Sequence, residues 1–287
     1  MSRLAYVNGR FLRQGEAGVS IEDRGYQLGD GIYEVWAVMD GKLADAAGHF
    51  ARLERSLGEL QIPMPMSPAA LTVALRETVR RNRVRSGIVY LQVTRGVARR
   101  DHAFPAAPIT PTVVITARST DGAAAEAKAA KGVSVITLPE NRWGRCDIKT
   151  INLLPNVLAK QAAKAQGAYE AWFVDADGLI TEGASSNAWI VDADGVLVTR
   201  DIGANILRGV TRLSLIDVAR DAGYTVQERP FTVAEAKAAR EAFATGAGAL
   251  VMPIVRIDDA PVANGHPGEV ATALRAAYIK RAAQTAV

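Results

Sequence analysis

The thirteen residues from Ser119 to Lys131, near the middle of the chain, set the strongest limit on how it can fold. They are alanine-rich and polar with no apolar periodicity, so they offer no face for a core. Strand-like and helical patterns lie on both sides. A chain of 287 residues has room for two compact domains. The expected organisation is an N-terminal α/β domain over 1–118, a partly helical connection over 119–131, and a C-terminal domain over 132–287.

The N-terminal half opens with a hairpin pattern: Leu4 to Val7, a turn at Asn8-Gly9, then Arg10 to Leu12. A glycine-rich loop from Asp23 to Gly31 feeds a strand over Ile32 to Met39, turning at Asp40-Gly41. Phe50, Leu53, Leu57 and Leu60 mark one helical stripe, and Ser67-Pro68 suits the start of a second helix. Strands over Ile88 to Thr94 and Pro111 to Ala117 flank a long loop, Arg95 to Thr110, of a length usually associated with function or disorder. In the second half the pattern predicts a strand at Val133 to Leu138 and a helix from Pro155 to Gln166. Three short strands follow between Tyr169 and Val198, then a helix from Gly209 to Gly223. Strands at Phe243 to Thr245 and Leu250 to Ile257 precede a final helix over Gly268 to Ala283. No internal repeat is evident, and the class is mixed α/β.

Composition narrows the function. Hydrophobic residues make up 49% and charged residues 22%, the profile of an ordinary folded enzyme. The net charge is +4 and the pI about 9.3, with arginines densest from Arg76 through Arg100. Arginine forks suit carboxylates and phosphates. No aromatic residues interleave regularly with them and no nucleic-acid motif accompanies them, which argues against a nucleic-acid surface. The single cysteine, Cys146, rules out an intrachain disulfide and a cysteine-rich metal site. The start of the chain shows no apolar stretch with a cleavage site, and no window approaches a membrane span, so a soluble cytoplasmic protein is expected.

Several residues could carry chemistry. Lys149 lies among Ile148, Ile151, Leu153 and Leu154, where lost hydration would free its amine as a nucleophile toward a carbonyl. On local grounds the plainer reading is a stem covering apolar surface with the ammonium in water. Glu182 precedes Gly183-Ala184-Ser185-Ser186-Asn187 and could pair with a protonated ring nitrogen, or be an ordinary loop glutamate. The hydroxyls of Ser185 and Ser186 could serve a phosphate or the turn itself. Gly209-Val210-Thr211 at a helix start is a plausible anion seat. Arg52 sits off the apolar stripe of its helix and could reach a phosphate or water. Arg100 and His102, two apart on an extended loop, could grip one carboxylate together.

Together these segments resemble the fold type IV pyridoxal-phosphate enzymes, and within them the D-amino-acid aminotransferases. The matching pieces are Asp23-Arg24-Gly25-Tyr26-Gln27-Leu28-Gly29-Asp30-Gly31-Ile32-Tyr33-Glu34, His49-Phe50-Ala51-Arg52-Leu53, Gln92-Val93-Thr94-Arg95-Gly96 and Arg100-Asp101-His102-Ala103-Phe104-Pro105. Arg145-Cys146-Asp147-Ile148-Lys149, Thr181-Glu182-Gly183 with Ser185-Ser186-Asn187, and Gly209-Val210-Thr211-Arg212 complete a collinear set over nearly the whole chain. The resemblance implies a two-domain fold with pyridoxal 5'-phosphate between the domains, the C-terminal one binding the cofactor. It implies that Lys149 carries the cofactor and moves the proton between the substrate α-carbon and the cofactor's C4′ carbon. Glu182 would pair with the pyridine nitrogen, while Arg52, Val210 and Thr211 would hold the phosphate, with Ser185 and Ser186 nearby. Tyr33, Arg100 and His102 would trap the substrate carboxylate, the last two reaching in from the neighbouring subunit of a homodimer. The Arg-x-His pattern resembles the D-specific group.

The implied reaction is ping-pong transamination between a D-amino acid such as D-alanine and a 2-oxo acid such as 2-oxoglutarate, with no metal. Two positions depart from the pattern. In Thr245-Gly246-Ala247-Gly248-Ala249 the positions after Thr245 carry no polar side chain where relatives often turn a further hydroxyl toward the phosphate, which leaves backbone amides or Thr245 to serve, and Ala184 interrupts the Glu182 motif. The alternatives are a branched-chain L-amino-acid aminotransferase, an aminodeoxychorismate lyase, and a basic nucleic-acid-binding or structural protein that retains the fold.

Overall fold

Asn8 and Gly9 both take positive φ (46° and 90°), as a two-residue hairpin turn requires, and close β1 (Leu4–Val7) onto β2 (Arg10–Arg13). The computed structural model describes residues 3–287; Met1 and Ser2, where the expectation about the chain's start begins, lie outside them. Next comes α1 (Arg24–Leu28), where the glycine pattern predicts a loop. Asp23 caps it by accepting from the N–H groups of Gly25 and Tyr26, and Gly29 ends it at φ 71°. A 5-residue helix has no room for an apolar stripe, so only its caps mark it in the sequence.

β3 (Gly31–Met39), β4 (Lys42–Leu43), α2 (Ala46–Glu59), α3 (Pro68–Arg81), β5 (Gly87–Thr94) and β6 (Thr112–Ser119) follow. The sheet runs β2-β1-β6-β5-β3-β4, antiparallel throughout. Alternation along β3 buries Ile32, Glu34, Trp36 and Val38, while Tyr33 and Val35 stay half-buried. Leu53 and Leu57 of α2 and Leu71, Leu75 and Val79 of α3 pack with Ile32, Trp36 and Val38 in one core. Each such side chain contributes roughly 1.5–3 kcal/mol relative to exposure. Ser67 caps α3 through the Ala70 N–H, with Pro68 in the first turn.

Two compact units emerge, and their boundaries differ from those expected. One holds the chain up to Asp121 together with Ile148–Asn152 and Thr285–Val287; the other holds Gly122–Asp147 and Leu153–Gln284. The stretch read as a connection therefore supplies α4 (Gly122–Lys131) to the second unit. Residues 148–152 join the first unit because they pair along β3. Thr150 bridges Ile32, the Tyr33 N–H donates to the Lys149 carbonyl (2.9 Å), and the Ile151 N–H donates to the Gly31 carbonyl (3.1 Å). Ile148 enters the same core as Trp36. Long-range pairing of this kind leaves no local sequence signature.

The second unit continues with β7 (Val133–Pro139), α5 (Leu154–Ala165), β8 (Glu170–Val174), β9 (Ile180–Gly183), β10 (Asn187–Val191), β11 (Leu197–Thr199) and α6 (Val210–Asp221). β12 (Val226–Glu228), α7 (Val233–Ala238), β13 (Glu241–Gly246), β14 (Leu250–Ile257), β15 (Ala260–Pro261) and α8 (Glu269–Thr285) complete it. Its sheet runs β12-β11-β10-β13-β14-β7-β8-β9, with β15 on β14. The pairs β11/β12, β14/β7 and β7/β8 are parallel. β9 ends the strand order and β10 lies near its other end, yet only Ala184–Ser186 link them, so the sheet curls. Four strands thus form between Glu170 and Thr199, where the sequence pattern predicts three. The extra break is a tight turn in which the Gly183 N–H donates to the Ser186 carbonyl (2.7 Å). Among the described residues, no helix is long and apolar enough to cross a membrane.

Candidate active site

In the first unit the pairing along β3 sets where Lys149 sits. Its side chain is half-buried, with Nζ 4.1 Å from the centroid of the Tyr33 ring. Tyr33 stacks on Tyr90 (5.7 Å between centroids, 27° between planes), and the Tyr90 hydroxyl donates to Gln92 (2.8 Å). Burial, followed by the charge of Tyr33, pushes the Tyr90 hydroxyl up to about 12. Two predicted site residues, Lys149 and Tyr33, are thereby brought together.

Arg52 is not off the core face, as its helix stripe suggests; it is only 9% exposed. The reason is Glu34, which alternation along β3 turns inward. Arg52 Nε donates to Glu34 Oε1 (2.7 Å) and Nη2 to Glu34 Oε2 (2.8 Å), while His49 Nδ1 lies 2.8 Å from the same Oε2. Burial alone would raise the Glu34 carboxyl; the charge and hydrogen bonds of Arg52 and His49 outweigh it and lower the pKa to about 2. Burial pushes His49 down, partly offset by Glu34. Ser56, one turn after Arg52 on α2, receives the Lys149 N–H (3.4 Å). One face of α2 therefore serves both predicted residues. Glu34 and His49 lie within the matching motifs, but the sequence alone assigns them no role, although a carboxylate on the core side of a strand signals a buried cation partner.

Arg100 and His102 lie exposed on the loop between β5 and β6. Arg24, 2% exposed, donates from Nη1 to the Asp101 carbonyl (2.7 Å) and from Nη2 to the His102 carbonyl (3.4 Å).

In the second unit Glu182 lies at the end of β9, inside the strand rather than after it, and is 4% exposed. Four hydrogen bonds reach its two oxygens. Oε1 accepts from Arg142 Nη1 (2.5 Å) and Oε2 from Asn187 Nδ2 (2.9 Å), and the Leu207 N–H donates to both (3.1 Å each). Arg142 also forks onto Glu140, from Nε to Oε1 (2.9 Å) and from Nη2 to Oε2 (2.6 Å). Burial works against the Arg142 cation, yet Glu140 and Glu182 raise its pKa; burial likewise opposes the Glu140 carboxylate, and Arg142 lowers its pKa. Arg142 is the main residue the sequence reading missed here, because it sits in an arginine-rich loop with no spacing to set it apart.

Asn187 also donates to the Leu207 carbonyl (3.0 Å) and abuts Gly209, where any Cβ would collide with its Oδ1. Glu182 is thus tied to the start of α6, which carries Val210 and Thr211, both buried. Gly209 provides no side-chain cap, so the first-turn N–H groups face outward from the helix end without one. Ser185 and Ser186 instead turn their hydroxyls onto Glu170 Oε2 (2.6 and 3.2 Å), the plainer of the two roles the sequence offers. The Thr245 hydroxyl accepts from Trp189 Nε1 (3.0 Å). Among the described residues no group of three or more His, Cys, Asp or Glu side chains is placed to hold a metal ion.

Comparison with known proteins identifies the family. The amino-transferase class IV family model matches residues 31–257. The D-alanine aminotransferase of Bacillus licheniformis is 40% identical over 282 residues, 97% of this chain and 98% of that protein. That of Staphylococcus haemolyticus is 38% identical over 275 residues, covering 96% of each. Among solved structures, the T.th. branched-chain amino acid aminotransferase with pyridoxamine 5'-phosphate matches with a TM-score of 0.89 at 29% identity, over 99% of this chain and 95% of that one. The branched-chain enzyme of Escherichia coli shares the fold, with a TM-score of 0.90 at 24% identity over 98% and 95% of the two chains. The chain belongs to the class IV aminotransferases.

Proposed function

We propose that this chain is a pyridoxal-phosphate-dependent transaminase that moves an amino group from a D-amino acid, D-alanine being the model donor, to a 2-oxo acid such as 2-oxoglutarate. Identity of 38–40% to D-alanine aminotransferases along nearly the whole chain carries the D assignment. The branched-chain relatives, more distant in sequence, support the fold and the general chemistry.

When bound, pyridoxal 5'-phosphate supplies the carbonyl that accepts the amino group and the electron sink that stabilises a deprotonated α-carbon. The residues present suit that group. Glu182, its oxygens held by Arg142, Asn187 and the Leu207 N–H, offers a fixed carboxylate for a protonated ring nitrogen. In the second unit the uncapped start of α6 at Val210 and Thr211 suits a phosphate; in the first unit the Arg52 guanidinium, oriented by Glu34, has a chemistry that suits one too. For Ser185 and Ser186 to donate to the cofactor through their hydroxyls, they must leave Glu170. Lys149 would hold the cofactor through Nζ and, as a free amine, would carry the proton taken from the substrate α-carbon. Tyr33, packed against that amine, Arg100 and His102 hold the substrate carboxylate.

We further infer a cytoplasmic homodimer in which Arg100 and His102 serve the partner's site. Exposed apolar side chains support an interface: Ile21, Tyr26, Val97 and Phe104 in the first unit, and Leu154, Val157 and Leu158 at helical spacing on α5 in the second. Replacing Arg100 with Ala tests the reading. KM for D-alanine and 2-oxoglutarate should rise about tenfold or more, as loss of a charged hydrogen-bond partner implies, with cofactor retention unchanged. An L-specific branched-chain enzyme would show no dependence on Arg100.

A further inference from the structure

The geometry points to Arg24 as a positioning residue that fixes the loop bearing Arg100 and His102, with Asp30 and Arg95 as its support; this rests on the reading that those two residues grip the substrate carboxylate. A loop of this length between β5 and β6 has many conformations, and two side chains that must meet one carboxylate need their backbone held. Arg24 supplies that hold at the required place. Its Nη1 and Nη2 donate to the carbonyls of Asp101 and His102, the two residues that follow Arg100. Its own N–H donates to the Gly96 carbonyl (2.9 Å), fixing the start of the same loop. The Ala98 N–H donates to the Glu22 carbonyl (3.3 Å).

The support is charged and nearly buried. Arg24 Nε donates to Asp30 Oδ2 (2.8 Å), and Arg95 forks onto Asp30, from Nε to Oδ2 (2.7 Å) and from Nη2 to Oδ1 (3.0 Å). Arg24 and Arg95 are 2% and 6% exposed. Arg95 also donates to the Leu60 and Gln61 carbonyls (2.7 and 3.1 Å) just beyond α2, the helix that carries Arg52. On its other side the Arg95 guanidinium lies 3.6 Å from the centroid of the Phe104 ring, pinning the far side of the loop. Phe104 itself is 51% exposed, so its place depends on that cation rather than on a core. From Gly96 to Phe104 the loop is fixed at both ends by two arginines sharing one carboxylate, and the gripping side chains project from between the two fixed points.

Steady-state kinetics of the holoenzyme with D-alanine and 2-oxoglutarate test this, alongside cofactor affinity and Tm, for Arg24→Gln, Phe104→Ala, Arg100→Ala and the Arg24→Gln/Arg100→Ala pair. Arg24→Gln should raise KM for both substrates about tenfold to a hundredfold, with a smaller change in kcat and unchanged cofactor affinity. In the Arg100→Ala background the same change should add less than about twofold, because the grip it would misplace is already gone. Phe104→Ala should reproduce the KM effect in milder form, and stands in if Arg24→Gln does not fold. A folded Arg24→Gln, or Phe104→Ala in its stead, with wild-type KM overturns the inference while leaving the grip intact if Arg100→Ala still raises KM. An equal loss in both backgrounds also overturns it, since that is the mark of a general structural role. An Arg100→Ala enzyme with unchanged KM removes the grip and the anchor together.

Discussion

Replacing Lys149 with Ala is expected to abolish transamination at every pH between 6 and 10 while leaving the protein folded. The backbone around Lys149 is held by main-chain hydrogen bonds from Tyr33 and Ile151 and by the Ser56 hydroxyl, none of which needs the lysine side chain. What the substitution removes from the fold is the half-buried stem and the contact of Nζ with the Tyr33 ring, worth about 0.5–1 kcal/mol. What it removes from the proposed chemistry is both the amine that would hold the cofactor and the base at the α-carbon. Proton transfer alone accounts for roughly 10²–10⁴ in rate. The kcat with D-alanine and 2-oxoglutarate should therefore fall at least about a thousandfold, with Tm nearly unchanged. Activity above about one per cent of wild type in this variant would remove Lys149 from its role.

Replacing Glu34 with Ala is expected to produce the largest loss of stability of any single change in the first unit. The carboxylate joins Arg52 and His49 in a buried cluster, and removing one member of a buried ion pair costs about 3–5 kcal/mol. For a protein of this size that is a fall in Tm of about 10 °C. The double change Glu34→Leu/Arg52→Met, which replaces the pair by apolar groups, should recover most of the stability but still weaken cofactor binding, since the proposed phosphate contact of Arg52 is gone. Thermal melts and cofactor titration separate the two effects.

The same cluster sets a pH dependence. Glu34 is held at about 2 against an unperturbed 4.5, so its contribution is complete above 4.5 and is lost as pH falls toward 2, in all roughly 3 kcal/mol. His49 is lowered from 6.5, so the unfolded chain takes up a proton below 6.5 that the folded chain resists. Stability should begin to fall below pH 6.5 and fall further below 4.5. A His49→Asn variant should flatten the upper part of that decline; an unchanged profile would show that His49 takes up its proton equally in the folded and the unfolded chain.

Much of the fold is legible in the sequence because local rules and tertiary packing agree. The Asn8-Gly9 hairpin, the α2 stripe, the Ser67-Pro68 start of α3 and the α6 start at Gly209 all form as patterned. Legibility ends where structure depends on distant partners or very short elements. α1 is known only by its caps, and residues 148–152 pair with a strand more than a hundred positions earlier. Arg52 reads as solvent-facing until Glu34 is seen opposite. Lys149 and Glu182, bland by their neighbours, owe the roles proposed for them to the order of motifs around them. Arg24, named only within a motif, and Arg142 receive no role from the sequence, because arginine is abundant here and only geometry distinguishes the two whose hydrogen bonds reach a loop backbone and a buried carboxylate.

The most direct measurement of the central claim is the visible absorption spectrum of the purified holoenzyme, followed by separate additions of D-alanine, L-leucine and L-glutamate. The expected result is a cofactor band that D-alanine bleaches and 2-oxoglutarate restores, with L-leucine and L-glutamate without effect. A band bleached by L-leucine or L-glutamate and untouched by D-alanine, or no cofactor band at all, would contradict it.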